Sequence, residues 1–541
     1  MLRDWVNAKR FGAIPSLPAR GDWLYLPAAL VALAMTLPLI YLIVRASTAG
    51  FSAWNWLLRV ETVSITGHSI GLALALMLAA LLLGIPLAWL VTRSDLIGRK
   101  LWSALLPLPL VIPSYVAAYL FVSFFAPRGL LQQLLEGWLG VERLPSVYGF
   151  WGAWLVLTLM TYPYVFMAAR AVLSRGDRSL EEAARSLGYS PLETIWKVTL
   201  PQLRPALAAS SLLVGLYVLR DFGAVSILRF STFTRAIYLQ YQSSIDRSTA
   251  ALLSLVLILI TIGFLIAEQR FRRSAAENPH TAARPPELTR LGRWQVLGLA
   301  LVVLTLLLGL FFPAGVLFYW LVRGLAAGEQ LNHWLRPFLG SLSAAGLAAV
   351  VTVLLAFPVS ILSVRRKSIF SQVLEKWSYI GYAVPGIVVA LALVFFGANF
   401  VPGLYQTLFM LLFAYVILFL PQAMGSIQAS LRMVQQNLEE AAASLGENQL
   451  RVFQRVTFPL IMPGVGAAVA FGFFTAMKEL TATLLLAPIG FSTLATQIWG
   501  AVSEAYFARA AAPALVLILT STISMYLINH HALNEGSSQR Q

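Results

Sequence analysis

LEEAARSLGYSPLETIWKVTLPQLRPAL (180–207) and LEEAAASLGENQLRVFQRVTFPLIMPGV (438–465) are one pattern written twice, 258 residues apart. In the first copy Leu180, Ala183, Ala184 and Leu187 stand at i, i+3, i+4 and i+7, the spacing of one helix face. Leu438, Ala441, Ala442 and Leu445 repeat it. The acids Glu181 and Glu182, and again Glu439 and Glu440, fall in the first turn, where the helix dipole favours them. Gly188 and Gly446 follow as stops, because glycine accepts the left-handed conformation that ends a helix. A second short helix then runs to Pro201 and to Pro459. The pattern predicts, twice, a short helix lying across a membrane surface with an acid presented to the cytoplasm.

The repetition extends outward from this segment. Ser69, Pro86 and Pro113 recur 272 residues later as Ser341, Pro358 and Pro385. LLLGIPLAWLVTR (81–93) has the texture of VLLAFPVSILSVR (353–365), and RDFGAVSIL (220–228) that of KELTATLLL (478–486). The offset changes by 14 within 126–147, a loop that is longer in the first half. A polar, basic stretch with Pro285–Pro286 (268–293) reads as the linker between halves. The organisation is therefore a first half over 1–267, with its repeated core at about 65–268, and a second half over 294–541, with its core at about 338–530.

Of 541 residues, 59% are hydrophobic and 11% charged. A soluble domain carries about 25% charged residues, so a polar coat is excluded. The apolar residues come in runs of about 20, the length that crosses a bilayer as a helix. Such runs lie near 23–44, 69–92, 103–125, 148–169, 207–228 and 251–267, then near 295–322, 341–364, 377–397, 404–422, 462–486 and 510–528. The runs lack strict alternation, which favours helices over a β-barrel. The run from Trp23 to Val44 is too long for a signal-peptide core and reads as an anchor helix. The fold class is an all-α polytopic membrane protein with about twelve transmembrane helices in two pseudo-repeats of six. Six spans per half give both halves one orientation, so the repeat is parallel.

With the N-terminus placed in the cytoplasm, 27 Lys and Arg fall on the cytoplasmic side, 10 on the outer side and two, Arg220 and Lys478, inside spans. This bias places both termini in the cytoplasm. It also accounts for the net charge of +16 as an orientation signal, leaving no basic stripe with interleaved aromatics for nucleic acid. There is no cysteine, hence no disulfide or thiolate chemistry, and the five His form no zinc-type cluster. No nucleophile–base constellation and no GxxxxGK[ST] loop is present, which argues against a membrane-embedded enzyme and against an ATPase within this chain.

The repeated segment resembles the signature loop of binding-protein-dependent ABC importer permeases: Glu-Ala-Ala, three residues, Gly, nine residues, an aliphatic, one residue, Leu-Pro. It stands here as Glu182-Ala183-Ala184, Gly188, Val198 and Leu200-Pro201, and as Glu440-Ala441-Ala442, Gly446, Val456 and Phe458-Pro459. The departures are valine for the usual isoleucine and Phe458 for leucine. The resemblance implies the type I ABC importer permease fold. It also implies a docking role for Glu181, Glu182, Ala183, Ala184, Gly188 and Pro201, and for Glu439, Glu440, Ala441, Ala442, Gly446 and Pro459. The partner it implies is a separate ATP-binding cassette ATPase in two copies, which holds ATP and Mg; no cofactor is expected on this chain. A periplasmic or lipid-anchored substrate-binding protein completes the implied system, in the bacterial cytoplasmic (inner) membrane. The rival is an amphipathic helix that merely caps the spans, and two copies at full spacing weigh against it.

A single chain fusing two halves resembles the ferric-iron and thiamine importer permeases, and RDFGAVSILRFSTFTRAIY (220–238) with MKELTATLLLAPIGFSTLATQIW (477–499) looks most like the ferric-iron type. The implied substrate is Fe(III), with thiamine or a phosphonate as alternatives. A further rival is an ion-coupled secondary transporter, which would leave two signature loops unexplained. The acids Asp221 and Glu479 and the bases Arg220 and Lys478 fall at matched places in the fifth span of each half, about 20 Å deep at about 1.5 Å per residue. Intramembrane charges face a bundle interior or an aqueous path. Adjacent helical residues do not face each other, so the expected pairs are Arg220 with Glu479 and Lys478 with Asp221. These pairs either line a translocation path or gate or are purely structural, and the sequence leaves both open. The span prolines read as local kinks.

Overall fold

The computed structural model describes residues 22–140, 143–175, 178–243, 248–276, 288–329, 334–366 and 368–538. The basic stretch before Asp22 and the middle of the linker (277–287), Pro285–Pro286 included, lie outside the described residues. Helix dominates throughout, and the one extended pairing among the described residues is a bridge between Ser94 and Thr289.

In chain order the first half has α1 (Tyr25–Ser47), α2 (Val60–Arg93), α3 (Ser114–Phe125), α4 (Phe150–Arg175), α5 (Arg178–Ser186), α6 (Leu200–Arg220), α7 (Gly223–Ile227), α8 (Phe233–Ser243) and α9 (Ser248–Ala276). Next come α10 (Gln295–Leu306) and α11 (Phe312–Ala326), joined by a π-helical turn. The second half continues with α12 (Leu335–Arg365), α13 (Ile369–Ser378), α14 (Gly386–Phe400), α15 (Leu408–Met433), α16 (Gln436–Ser444), α17 (Phe458–Met477), α18 (Thr481–Leu486), α19 (Leu494–Ser503) and α20 (Phe507–Ser538).

Among the described residues, ten helical stretches are long and apolar enough to cross a membrane. The segment 369–400 is an eleventh if counted as one span, and Phe507–Ile523 is a shorter apolar helix. All twelve expected runs are thus helical, but four of them are not the continuous spans expected. The run 103–125 stops at Pro113, where α3 starts afresh. Its counterpart 377–397 bends by 104° between Ala383 and Gly386, around Pro385. Both prolines stand immediately before a new helix in extended conformation, where a missing N–H costs nothing. The runs 207–228 and 462–486 also break, at Asp221 and after Met477.

By contacts the chain forms two compact units. In the larger (38–348, 383–418 and 473–541) α2, α4, α6 and α9 pack together. Close approach is made by small residues, as lipid-embedded helices require. A Cβ at Gly84 of α2 would stand 2.9 Å from the Phe166 amide of α4. The repeated serines act here as caps for distant helices. Ser69 Oγ accepts the Phe233 amide (3.0 Å) at the start of α8, and Ser341 Oγ accepts the Leu494 amide (2.8 Å) at the start of α19. Each would otherwise be an orphan donor. In the smaller unit (up to Leu37, with 349–382 and 419–472) Phe357, Phe453 and Phe458 form one aromatic cluster. There Gln428 Nε2 donates to Ser363 Oγ (2.9 Å) and Glu375 Oε1 (3.0 Å).

Candidate functional site

The repeated segment folds as its residues dictate. Helix α5 ends at Gly188 (φ +87°), with the Tyr189 amide closing back on the Ala184 carbonyl at 3.1 Å. Helix α16 ends at Gly446 (φ +90°). The following short helices start at capping residues in register: the Ser190 hydroxyl accepts the Glu193 amide (3.3 Å), and Asn448 Oδ1 accepts the Arg451 amide (2.9 Å). A π-helical turn follows in each copy, Ile195–Thr199 and Phe453–Thr457. It leads directly into Leu200-Pro201 and Phe458-Pro459, whose prolines lack the amide that would keep a regular α-helical register.

The structure divides the paired acids by orientation. Glu181 turns inward: its Oε1 lies 3.5 Å from Arg93 Nη2, at the last residue of α2, and accepts from the Thr199 hydroxyl at 3.1 Å. Glu439 repeats this, 2.8 Å from Arg365 Nη2 at the last residue of α12 and 2.8 Å from the Thr457 hydroxyl. Arg365 also donates to the Val434 carbonyl at 3.2 Å. Glu182 and Glu440 are the exposed members. The apolar stripe turns outward as well. Leu187 and Leu445 are 78% and 86% exposed, Leu180 and Leu438 about half exposed, and in the first copy Ala184 alone is buried. Both copies thus carry an exposed glutamate and two exposed leucines.

The intramembrane charges sit at helix breaks, where a continuous span was expected. Arg220 closes α6, and Asp221 (ψ 125°) leaves the helix. The Asp221 carboxylate then caps α7, accepting the Ala224 and Val225 amides at 3.0 and 3.4 Å, and it accepts a hydrogen bond from the Ser114 hydroxyl. Its own carbonyl accepts from Thr234 Oγ1 at 2.6 Å. Glu479 does the same for α18: Oε1 accepts the Ala482 amide at 3.0 Å, and the backbone carbonyl accepts from Thr483 Oγ1 at 2.7 Å. Tyr415 Oη lies 2.5 Å from that hydroxyl. The chain can leave the helix at these buried and half-buried positions because a carboxylate satisfies amides of the next helix that would otherwise be orphaned. Glu479 lies within coulombic range of Arg220. The expected Lys478–Asp221 pair is not made. Lys478 Nζ donates to the Leu110 carbonyl at 3.2 Å and sits 3.6 Å from the Phe474 ring centre.

Sequence reasoning missed Arg93, Arg365, Thr199, Thr457 and Ser114. The signal for the arginines was present: both close the matched stretches 81–93 and 353–365 in register, but they read as orientation charges.

Comparison with known proteins places this geometry. The sequence pattern of the binding-protein-dependent transport system inner membrane component matches residues 80–275 and 352–532. The chain is 35% identical over 517 residues to the Fe(3+)-transport system permease protein FbpB 2 of Haemophilus influenzae, covering 94% of this chain and 98% of that one. It is 24% identical over 438 residues to the ferric transport system permease protein FbpB of Actinobacillus pleuropneumoniae, spanning 76% of this chain and 63% of that protein. The molybdenum transport system permease protein ModB of Escherichia coli is 33% identical over 168 residues, 30% of this chain.

Proposed function

The chain belongs to the binding-protein-dependent transport system inner membrane components, the permeases of ABC importers, and from that premise we propose that it carries ferric iron inward. The observation that carries this reading is the end-to-end similarity to an Fe(3+) permease, against 30% of the chain for the molybdenum one. Iron is cargo here: a binding protein delivers it from outside, and the chain passes it on without a resident metal or cofactor. Both termini and both repeated segments face the cytoplasm, as the 27-to-10 distribution of Lys and Arg supports.

A separate ATP-binding cassette ATPase, in two copies, receives one segment each and holds ATP and Mg. Glu182 and Glu440 accept charge-assisted hydrogen bonds from basic residues of the ATPase cleft, while the exposed Leu187 and Leu445 supply apolar contact. Gly188, Gly446, Pro201 and Pro459 hold the segments in shape. Arg220, Asp221, Lys478 and Glu479 flank the translocation path at the helix breaks.

Uptake of radioactive Fe(III) into proteoliposomes holding permease, ATPase and binding protein tests this. Glu182→Ala with Glu440→Ala is expected to leave membrane insertion intact and to abolish ATP-driven uptake. Normal uptake by the double variant refutes the docking role. A system that moves thiamine, a phosphonate or molybdate but no iron refutes the cargo.

A further inference from the structure

The first acid of each repeated segment turns its carboxylate toward an arginine and a threonine of its own chain. Arg93 is 6% exposed, and its side chain and that of Glu181 are 8% and 21% exposed. For Arg365 and Glu439 the values are 16% and 22%. The same three residue types, Arg, Glu and Thr, meet in both copies, although their arginines and their Glu–Thr pairs are set by different repeat offsets, 272 and 258 residues. Each arginine terminates a long helix, where a cation also complements the helix dipole. Each threonine ends a π-helical turn that leads into the next spanning helix. A further detail is shared: among the described residues, Nε of Arg93 and Nε of Arg365 are buried without a partner. Each arginine holds its glutamate by one prong of its guanidinium and keeps a second donor unused.

We propose that Arg93–Glu181–Thr199 and Arg365–Glu439–Thr457 are positioning clamps that bind the exposed segments α5 and α16 to the ends of α2 and α12. Force applied at Glu182 or Glu440 then moves a long membrane helix instead of bending a surface loop. Glu181 and Glu439 are positioning residues, and the acid that meets the partner is the second of each pair. The clamp rests on the ATPase-docking reading above for its purpose, though not for its existence. A partly buried ion pair that loses one partner leaves an uncompensated charge, so each clamp holds as a unit or fails as one.

The chain has no cysteine, so a single spin label at Ala443→Cys, on the exposed side of α16, reports the mobility of that helix without any ATPase present. Arg365→Gln and Glu439→Gln are expected to sharpen the spectrum by mobilising the label, and the exchanged pair Arg365→Glu with Glu439→Arg to restore it. In the full complex, the same single variants are expected to keep ATP hydrolysis while transport per ATP falls about tenfold, the scale of a coupling energy between sites. Thr457→Val, which removes only the hydroxyl, shifts both readouts the same way by less, and serves if Arg365→Gln fails to insert. An immobile label in both single variants overturns the clamp. Unchanged transport per ATP alongside a mobile label overturns its coupling role. An ATPase that never binds the wild-type permease overturns the docking reading alone, because the label still decides the clamp.

Discussion

Asp221 and Glu479 occupy the same place in the repeat with side chains one methylene apart, and the chain compensates at another matched position. Ser114 and Gly386 each follow the breaking proline, 272 residues apart. The short acid has a serine hydroxyl reaching to it. The long acid has a glycine, where a Cβ would stand 3.1 Å from Glu479 Oε1. Gly386→Ser should therefore overpack the second site, at a cost of about 1–3 kcal/mol. Gly386→Ser with Glu479→Asp should recover most of it by rebuilding the first site's pair. Thermal unfolding of the purified protein checks both, and a double variant no more stable than the single one would show the two residues to be independent. The acids were legible in the sequence as rare charges in apolar runs. Their partners were not, because serine and glycine carry no signal until the fold brings them to the acid.

At the scale of elements, the short helices α5 and α16 were legible to the residue that ends them. Gly446 holds φ at +90°, where an L side chain costs about 1–2 kcal/mol. Gly446→Ala should fray the end of α16 and expose it to protease, and Gly446→Asn, which tolerates that conformation better, should do so less. Limited proteolysis read by the size of the products distinguishes the two; equal resistance in Gly446→Ala would remove the glycine's conformational role. The broken spans were not legible as breaks. Composition over 207–228 and 462–486 is apolar enough for a continuous helix, and proline at 113 and 385 read as a kink. What decides for a break is the carboxylate waiting to cap α7 and α18, a partner that lies one or two residues beyond the helix end and competes with the helix for the same backbone amides.

For the molecule as a whole, the absence of cysteine makes orientation testable one position at a time. A membrane-impermeant maleimide should label Ser146→Cys, in the loop before α4, from outside intact spheroplasts. Ser186→Cys, in α5, should react only after permeabilisation. The reverse pattern would invert the orientation read from the basic residues.

The sequence by itself determined the membrane class, the duplication, the two exposed segments and the family they point to. Each of these is carried by local quantities: run length, period, spacing and the sign of charge beside a span. Only the tertiary structure decided which acid of each pair faces outward and which is held within. Only it showed that Arg93 and Arg365 reach the Glu181 and Glu439 carboxylates, and that the fifth spans stop at their charges. Those outcomes depend on which residues meet across the bundle. A charge inside a membrane protein takes its role from the group that satisfies it, and that group is chosen by packing between helices far apart in the chain.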